Sequence, residues 1–89
     1  MASSGYLNIG NIITPIKLGV KFQPPSIILI YNDKSKLRKR IMPAKDFNLL
    51  TDIRLYVEKW KLDPKNRKFF EKIPNKRLEK IFFILQNNM

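Results

Sequence analysis

The 89-residue sequence has no cysteine and no histidine, only three glycines, and seven acidic residues against eighteen lysines and arginines. Each shortage excludes something. Without Cys there is no disulfide framework and no thiolate chemistry, and without Cys or His nearly all zinc, haem and iron–sulfur ligation falls away, so no cofactor or metal is expected. A reducing, intracellular setting is the natural expectation for such a composition. Gly5, Gly10 and Gly19 form no phosphate-cradling loop, and no serine stands in a nucleophile elbow. Acid–base catalysis near neutral pH calls on His or a tuned carboxylate pair, whereas Asp33, Asp46, Asp52, Glu58, Asp63, Glu71 and Glu79 are spread singly. No apolar run approaches the ~20 residues of a membrane span, and Met1 to Tyr6 carry no basic flank, so neither membrane insertion nor secretion is expected. The chain reads as non-catalytic.

What is present is positive charge and apolar bulk. The net charge of +11 favours a polyanionic partner, whether nucleic acid, anionic lipid headgroups or an acidic protein surface, and charge alone does not choose among them. The length suits one small domain whose core supplies only about 3 to 5 kcal/mol of net stability, which leaves room for a partner surface to complete it.

Residues 1–18 show no sustained hydrophobic period and are interrupted by Thr14-Pro15, so an extended N-terminal arm is expected there, with the domain occupying residues 19–89. Val20 to Phe22 reads as a short edge strand, and Gln23-Pro24-Pro25, lacking amide donors at both prolines, as a sheet corner. Ser26 to Tyr31 is too short for a helix and rich in β-formers; its alternation puts Ile28 and Ile30 on one face and Ile27, Leu29 and Tyr31 on the other, both in need of cover. Lys36 to Met42 is the partner strand of a hairpin, with Leu37, Lys39 and Ile41 on one face and Lys36, Arg38, Arg40 and Met42 on the other. Asn32-Asp33-Lys34-Ser35 supplies a four-residue loop between them.

The remainder is helical. Thr51 or Asp52 caps a helix with apolar positions Ile53, Tyr56, Val57 and Trp60, Asp63-Pro64 restarts a short one carrying Phe69 and Phe70, and Pro74-Asn75 precedes a third. Leu78, Ile81, Phe82 and Leu85 form the stripe of that third helix, widened by Phe83 and Ile84. The expected class is α+β: a small hairpin with a short extra edge strand, then three short helices, preceded by the arm.

Two features bear on binding. Lys34, Lys36, Arg38, Lys39, Arg40 and Lys45 form the densest positive run, which serves either as a solvated strand face that blocks edge-to-edge association or as an electrostatic contact. Nucleic acid is a weak fit, because no aromatic between Asn32 and Asp46 is available for base stacking. Phe22, Tyr31, Trp60, Phe69, Phe70, Phe82 and Phe83 follow the spacing of core stripes. A strand apolar on both faces with three small helices to cover it leaves a surplus for a partner.

Gly19-Val20-Lys21-Phe22-Gln23-Pro24-Pro25-Ser26-Ile27-Ile28-Leu29-Ile30-Tyr31, followed by Arg38-Lys39-Arg40-Ile41-Met42-Pro43, closely resembles the opening of the nineteen-kilodalton centrosomal protein family. The likeness runs on through Phe47, the Asp52-capped helix, Asp63-Pro64 and Arg77-Leu78-Glu79-Lys80, to about Leu85. The resemblance implies a non-catalytic adaptor at the mother centriole and ciliary base, partnered by centriolar scaffold proteins and by a Rab-like small GTPase linked to intraflagellar transport. These residues contain no counterpart of the family's acidic C-terminal half, and they add the arm. The expected function is a ciliary or centriolar structural adaptor in the cytoskeleton, at a centriole, basal body or axoneme, with scaffold proteins or the acidic tubulin surface as partner. The residues expected to carry binding are Phe22, Pro24, Pro25, Ile28, Ile30 and Tyr31 on the apolar stretch and Lys36, Arg38 and Arg40 on the basic face. The competing readings are a basic nucleic-acid-binding module and a peripheral protein of anionic membranes, the latter disfavoured by the Asn-rich end of the last helix.

Overall fold

In the computed structural model, which describes residues 13–89, three strands run antiparallel in the order β1 (Ile13–Phe22), β2 (Pro25–Asp33) and β3 (Lys36–Pro43). Helices α1 (Ile53–Leu62), α2 (Pro64–Phe70) and α3 (Asn75–Asn87) follow. The α+β class and the element order agree with the reading from sequence. Local chemistry accounts for the helix starts: the Asp52 side chain accepts from the Leu55 amide at 3.2 Å, and that of Asp63 from the Lys65 amide at 2.9 Å. Asp63 also closes α1, its own amide bonding the Lys59 carbonyl at 3.1 Å. One residue therefore ends one helix and begins the next.

The core forms on one face of the sheet. Ile27, Leu29 and Tyr31 of β2 point into it, joined by Met42, Val57, Trp60, Phe69, Phe70, Leu78, Phe82 and Leu85, while Phe47 reaches in from the loop before α1. Each such side chain contributes about 1.5 to 3 kcal/mol on burial. Phe82 anchors the aromatic cluster, its ring centroid 5.2 Å from Tyr56 and 5.3 Å from both Phe47 and Trp60.

Five details depart from expectation. β1 is ten residues long rather than the short strand over Val20 to Phe22, and it takes in residues 13–18. Pro15 is tolerated because β1 is an edge strand, and the register slips between Pro15 and Lys17, leaving Ile16 as the bulged residue. The rest of the expected arm, residues 1–12, lies outside the described residues. Gln23 and Pro24 make a tight hairpin turn rather than a corner, with Phe22 paired to Pro25 and a cis Gln23–Pro24 bond.

The β2–β3 loop is Lys34-Ser35 alone, two residues with φ of 53° and 68°, because Asp33 and Lys36 already pair across the ladder. That geometry suits the right-handed strand twist better than a four-residue loop. Phe83 and Ile84 do not widen the α3 stripe; the 100° step per residue carries them to solvent, and they are 56% and 42% exposed. Phe22 is likewise exposed, while the other aromatics assigned to the core are buried.

Candidate functional site

In an antiparallel ladder, directly opposed residues share a face. The pairs Tyr31–Arg38, Leu29–Arg40 and Ile27–Met42 therefore put the basic residues of β3 on the helix-bearing side, while Ile28–Ile41 and Ile30–Lys39 put the second apolar set on the other. The two parts of the surface expected from sequence thus face opposite ways.

On the side away from the helices, Ile28 and Ile30 are half-buried and Ile41 is exposed. Gly19, opposite Ile28, interposes no side chain. Lys17, Lys21 and Lys39 surround this apolar centre on the same face, paired with Ile30, Ser26 and Ile30 respectively. None of the described helices covers it, since their packing is on the face of Leu29. A sheet face that the described helices leave uncovered, with a cationic border, is suited to an apolar partner carrying acidic flanks.

On the helix side, Arg38 lies 4.0 Å from Asp33, an exposed pair of small energetic weight. Arg40 lies 4.5 Å from the centroid of the Phe69 ring, with the Lys68 amine 5.3 Å from the same ring. Tyr31 meets Phe69 edge-on at 5.3 Å and is itself buried. Tyr31 is thus a core residue rather than a free contact, because its strand parity is that of Ile27 and Leu29. Lys36 is exposed, as are Phe22 and Pro24 beside the first turn. Pro25 is half-buried, its carbonyl accepting from the Ala44 amide at 2.8 Å.

The loop joining β3 to α1 is held by contacts with no local sequence signature. The Gln86 side-chain amide donates to the carbonyls of Asn48 and Thr51, both at 3.0 Å, from the far end of the chain. Tyr56 donates its hydroxyl to the Lys45 carbonyl at 2.7 Å. Burial, assisted by the Asp46 charge, pushes the Tyr56 phenol up to about 12. Among the described residues no three of His, Cys, Asp and Glu gather to hold a metal, and no helix is long and apolar enough to cross a membrane.

The chain is similar to the bovine protein called centrosomal protein of 19 kDa, 41% identical over 78 residues that make up 85% of this chain and 48% of that protein. The human protein of the same name is 40% identical over 75 residues, 82% of this chain and 46% of that one. The zebrafish (Danio rerio) protein is 33% identical over 75 residues, 82% of this chain and 47% of that protein. The chain therefore spans about half the length of the curated relatives it matches. No solved structure matches it. With residues 16–89 also matching the family model described as CEP19-like protein, the chain belongs to the CEP19-like family.

Proposed function

We propose that this domain is a non-catalytic adaptor at the centrosome, where it binds centriolar scaffold proteins and serves as a structural component of the centriole, basal body or axoneme. The observation that carries the reading is the apolar sheet face of Ile28, Ile30 and Ile41, which the described helices leave uncovered in a chain whose relatives are centrosomal by name. Ile28 and Ile30 supply apolar contact to a scaffold, with Phe22, Pro24 and Pro25 extending it around the first turn. Lys36, Arg38 and Arg40 supply charge on the opposite side. The tubulin surface is an acidic partner suited to that charge, and recruitment of a Rab-like small GTPase belongs to the same proposal for the full-length protein. A nucleic-acid reading lacks a stacking platform beside the basic strand, because Tyr31 and Phe69 are both buried.

The test is localisation in ciliated cells. Ile30→Glu should abolish centriolar targeting while the far-ultraviolet circular dichroism stays native. Unchanged targeting would remove the open face from the mechanism. Microtubule co-sedimentation across a salt series addresses tubulin separately: no pelleting even at low ionic strength would eliminate that partner.

A further inference from the structure

A groove of about 440 Å³ runs between the end of β3 and the junction of α1 with α2, meeting the open sheet face at its edge, at Ile41. Its apolar lining comes from Ile41, Met42, Pro43, Tyr56 and Trp60. Its charged lining comes from Arg40, Lys45, Lys59 and Lys65, against the single carboxylate of Asp63. That carboxylate is already engaged as the cap of α2. We propose that this groove is a docking slot for a short acidic segment of a partner protein carrying one bulky apolar anchor residue. Only the class of partner, a protein, rests on the adaptor reading above; the surface shares Ile41 with the open face and is otherwise a separate one.

Groove and segment are complementary in shape and charge. The groove is within the size range of sites that take a ligand side chain or small molecule, roughly 300 to 1,000 Å³. Apolar lining with cations around it fits an anchor residue flanked by Asp or Glu, the cations steering the encounter and the apolar lining holding the complex. Trp60 adds an independent observation. Its indole N–H is buried and has no hydrogen-bond partner among the described residues, an uncommon state for a buried donor, in a side chain that lines this groove. A nucleic acid fits less well, because a run of phosphates needs exposed rings for its bases and Trp60 is only 6% exposed.

Trp60 is the sole tryptophan of the chain, so its emission reports on occupancy of this groove. The experiment titrates the whole chain with three synthetic peptides while following Trp60 emission and peptide anisotropy. One peptide is Glu- and Asp-rich with a central Leu, one is all Glu, and one repeats the first with Lys replacing its acids. The anchored acidic peptide should give a saturable change in Trp60 emission and bind at least about tenfold more tightly than either other peptide. Lys59→Glu with Lys65→Glu should weaken it by about tenfold or more, with circular dichroism confirming the fold, and Lys45→Glu in the loop provides a second reversal. Ile30→Glu, on the other face, should bind the peptide normally, so the slot and the adaptor surface succeed or fail separately. The proposal is overturned by absence of a saturable response, by equal binding of the all-Glu peptide, by unchanged affinity in the reversed variants, or by an oligonucleotide that displaces the anchored peptide at lower concentration than the peptide itself.

Discussion

The guanidinium of Arg40 stands 4.5 Å from the ring centroid of Phe69, so a basic residue of β3 is tied to a buried aromatic of α2. Arg38, two residues earlier on the same face, makes a solvent-accessible contact with Asp33 at 4.0 Å. Charge reversal at these neighbours should therefore differ in consequence. Arg40→Glu is expected to lower stability by about 0.5 to 1 kcal/mol through loss of the cation–π contact, whereas Arg38→Glu should leave the melting temperature nearly unchanged. Thermal melts of the two single variants make the comparison. It also follows that Lys36→Glu with Arg38→Glu is the cleaner probe of electrostatic binding, since neither disturbs the core.

Ile27 and Ile28 are adjacent on β2 but belong to different environments: Ile27 is fully buried beneath the helices and Ile28 is half-buried on the open face. Replacing each with Lys should separate folding from binding. Ile27→Lys places an unpaired charge among apolar side chains, and its cost of at least several kcal/mol is comparable with the whole stability of a small domain. Ile28→Lys lets the ammonium reach solvent along the open face and should leave a folded chain. Urea denaturation reads the difference directly; equal destabilisation by both substitutions would show that the open face is covered.

The turn at Lys34-Ser35 invites stabilisation. Both residues sit at positive φ, 53° and 68°, without the side chains that tolerate it best. Asn and Gly are the residues favoured in such a two-residue turn. Lys34→Asn with Ser35→Gly should gain about 1 kcal/mol, or roughly 4 to 8 °C in melting temperature for a domain of this size. A melting temperature that did not rise would mean that the turn is not limiting for β2–β3 pairing.

The helices were legible because their signals are local. Asp52, Asp63-Pro64 and Pro74-Asn75 announce three starts within a residue or two of where they occur, and the spacing of Val57, Trp60, Leu78, Phe82 and Leu85 identifies the buried stripes. The parity of β2 and β3 was legible for the same reason. What escaped was decided across the fold. The sequence before Gly19 has no strand period, yet it is drawn into β1 by pairing with β2 through a bulge that excuses Pro15. By sequence alone Tyr31 is as available as Ile30, and only the packing of the described helices on the face of Leu29 separates the two. The groove beside Trp60 joins residues from β3, α1 and α2, and Gln86 anchors a loop more than thirty positions away. No window of sequence contains either arrangement.

Tyr56 links that loop to α1 and should make stability sensitive to alkaline pH. Its phenol is raised from 10.0 to about 12, first by burial and then by the charge of Asp46, both of which disfavour phenolate. Between pH 10 and 12 the folded chain therefore keeps a proton that the unfolded chain releases. The associated stability is fully present below pH 10 and is lost as pH rises through 12. Tyr56→Phe should cost about 1 kcal/mol at neutral pH by removing the hydrogen bond to the Lys45 carbonyl. It should also remove this tyrosine's share of the alkaline dependence. The decisive quantity is the difference between the two proteins: denaturant midpoints should fall more steeply from pH 10 to 12 for the native chain than for Tyr56→Phe. Parallel pH profiles would show that the phenol ionises in the folded chain as readily as in the unfolded one.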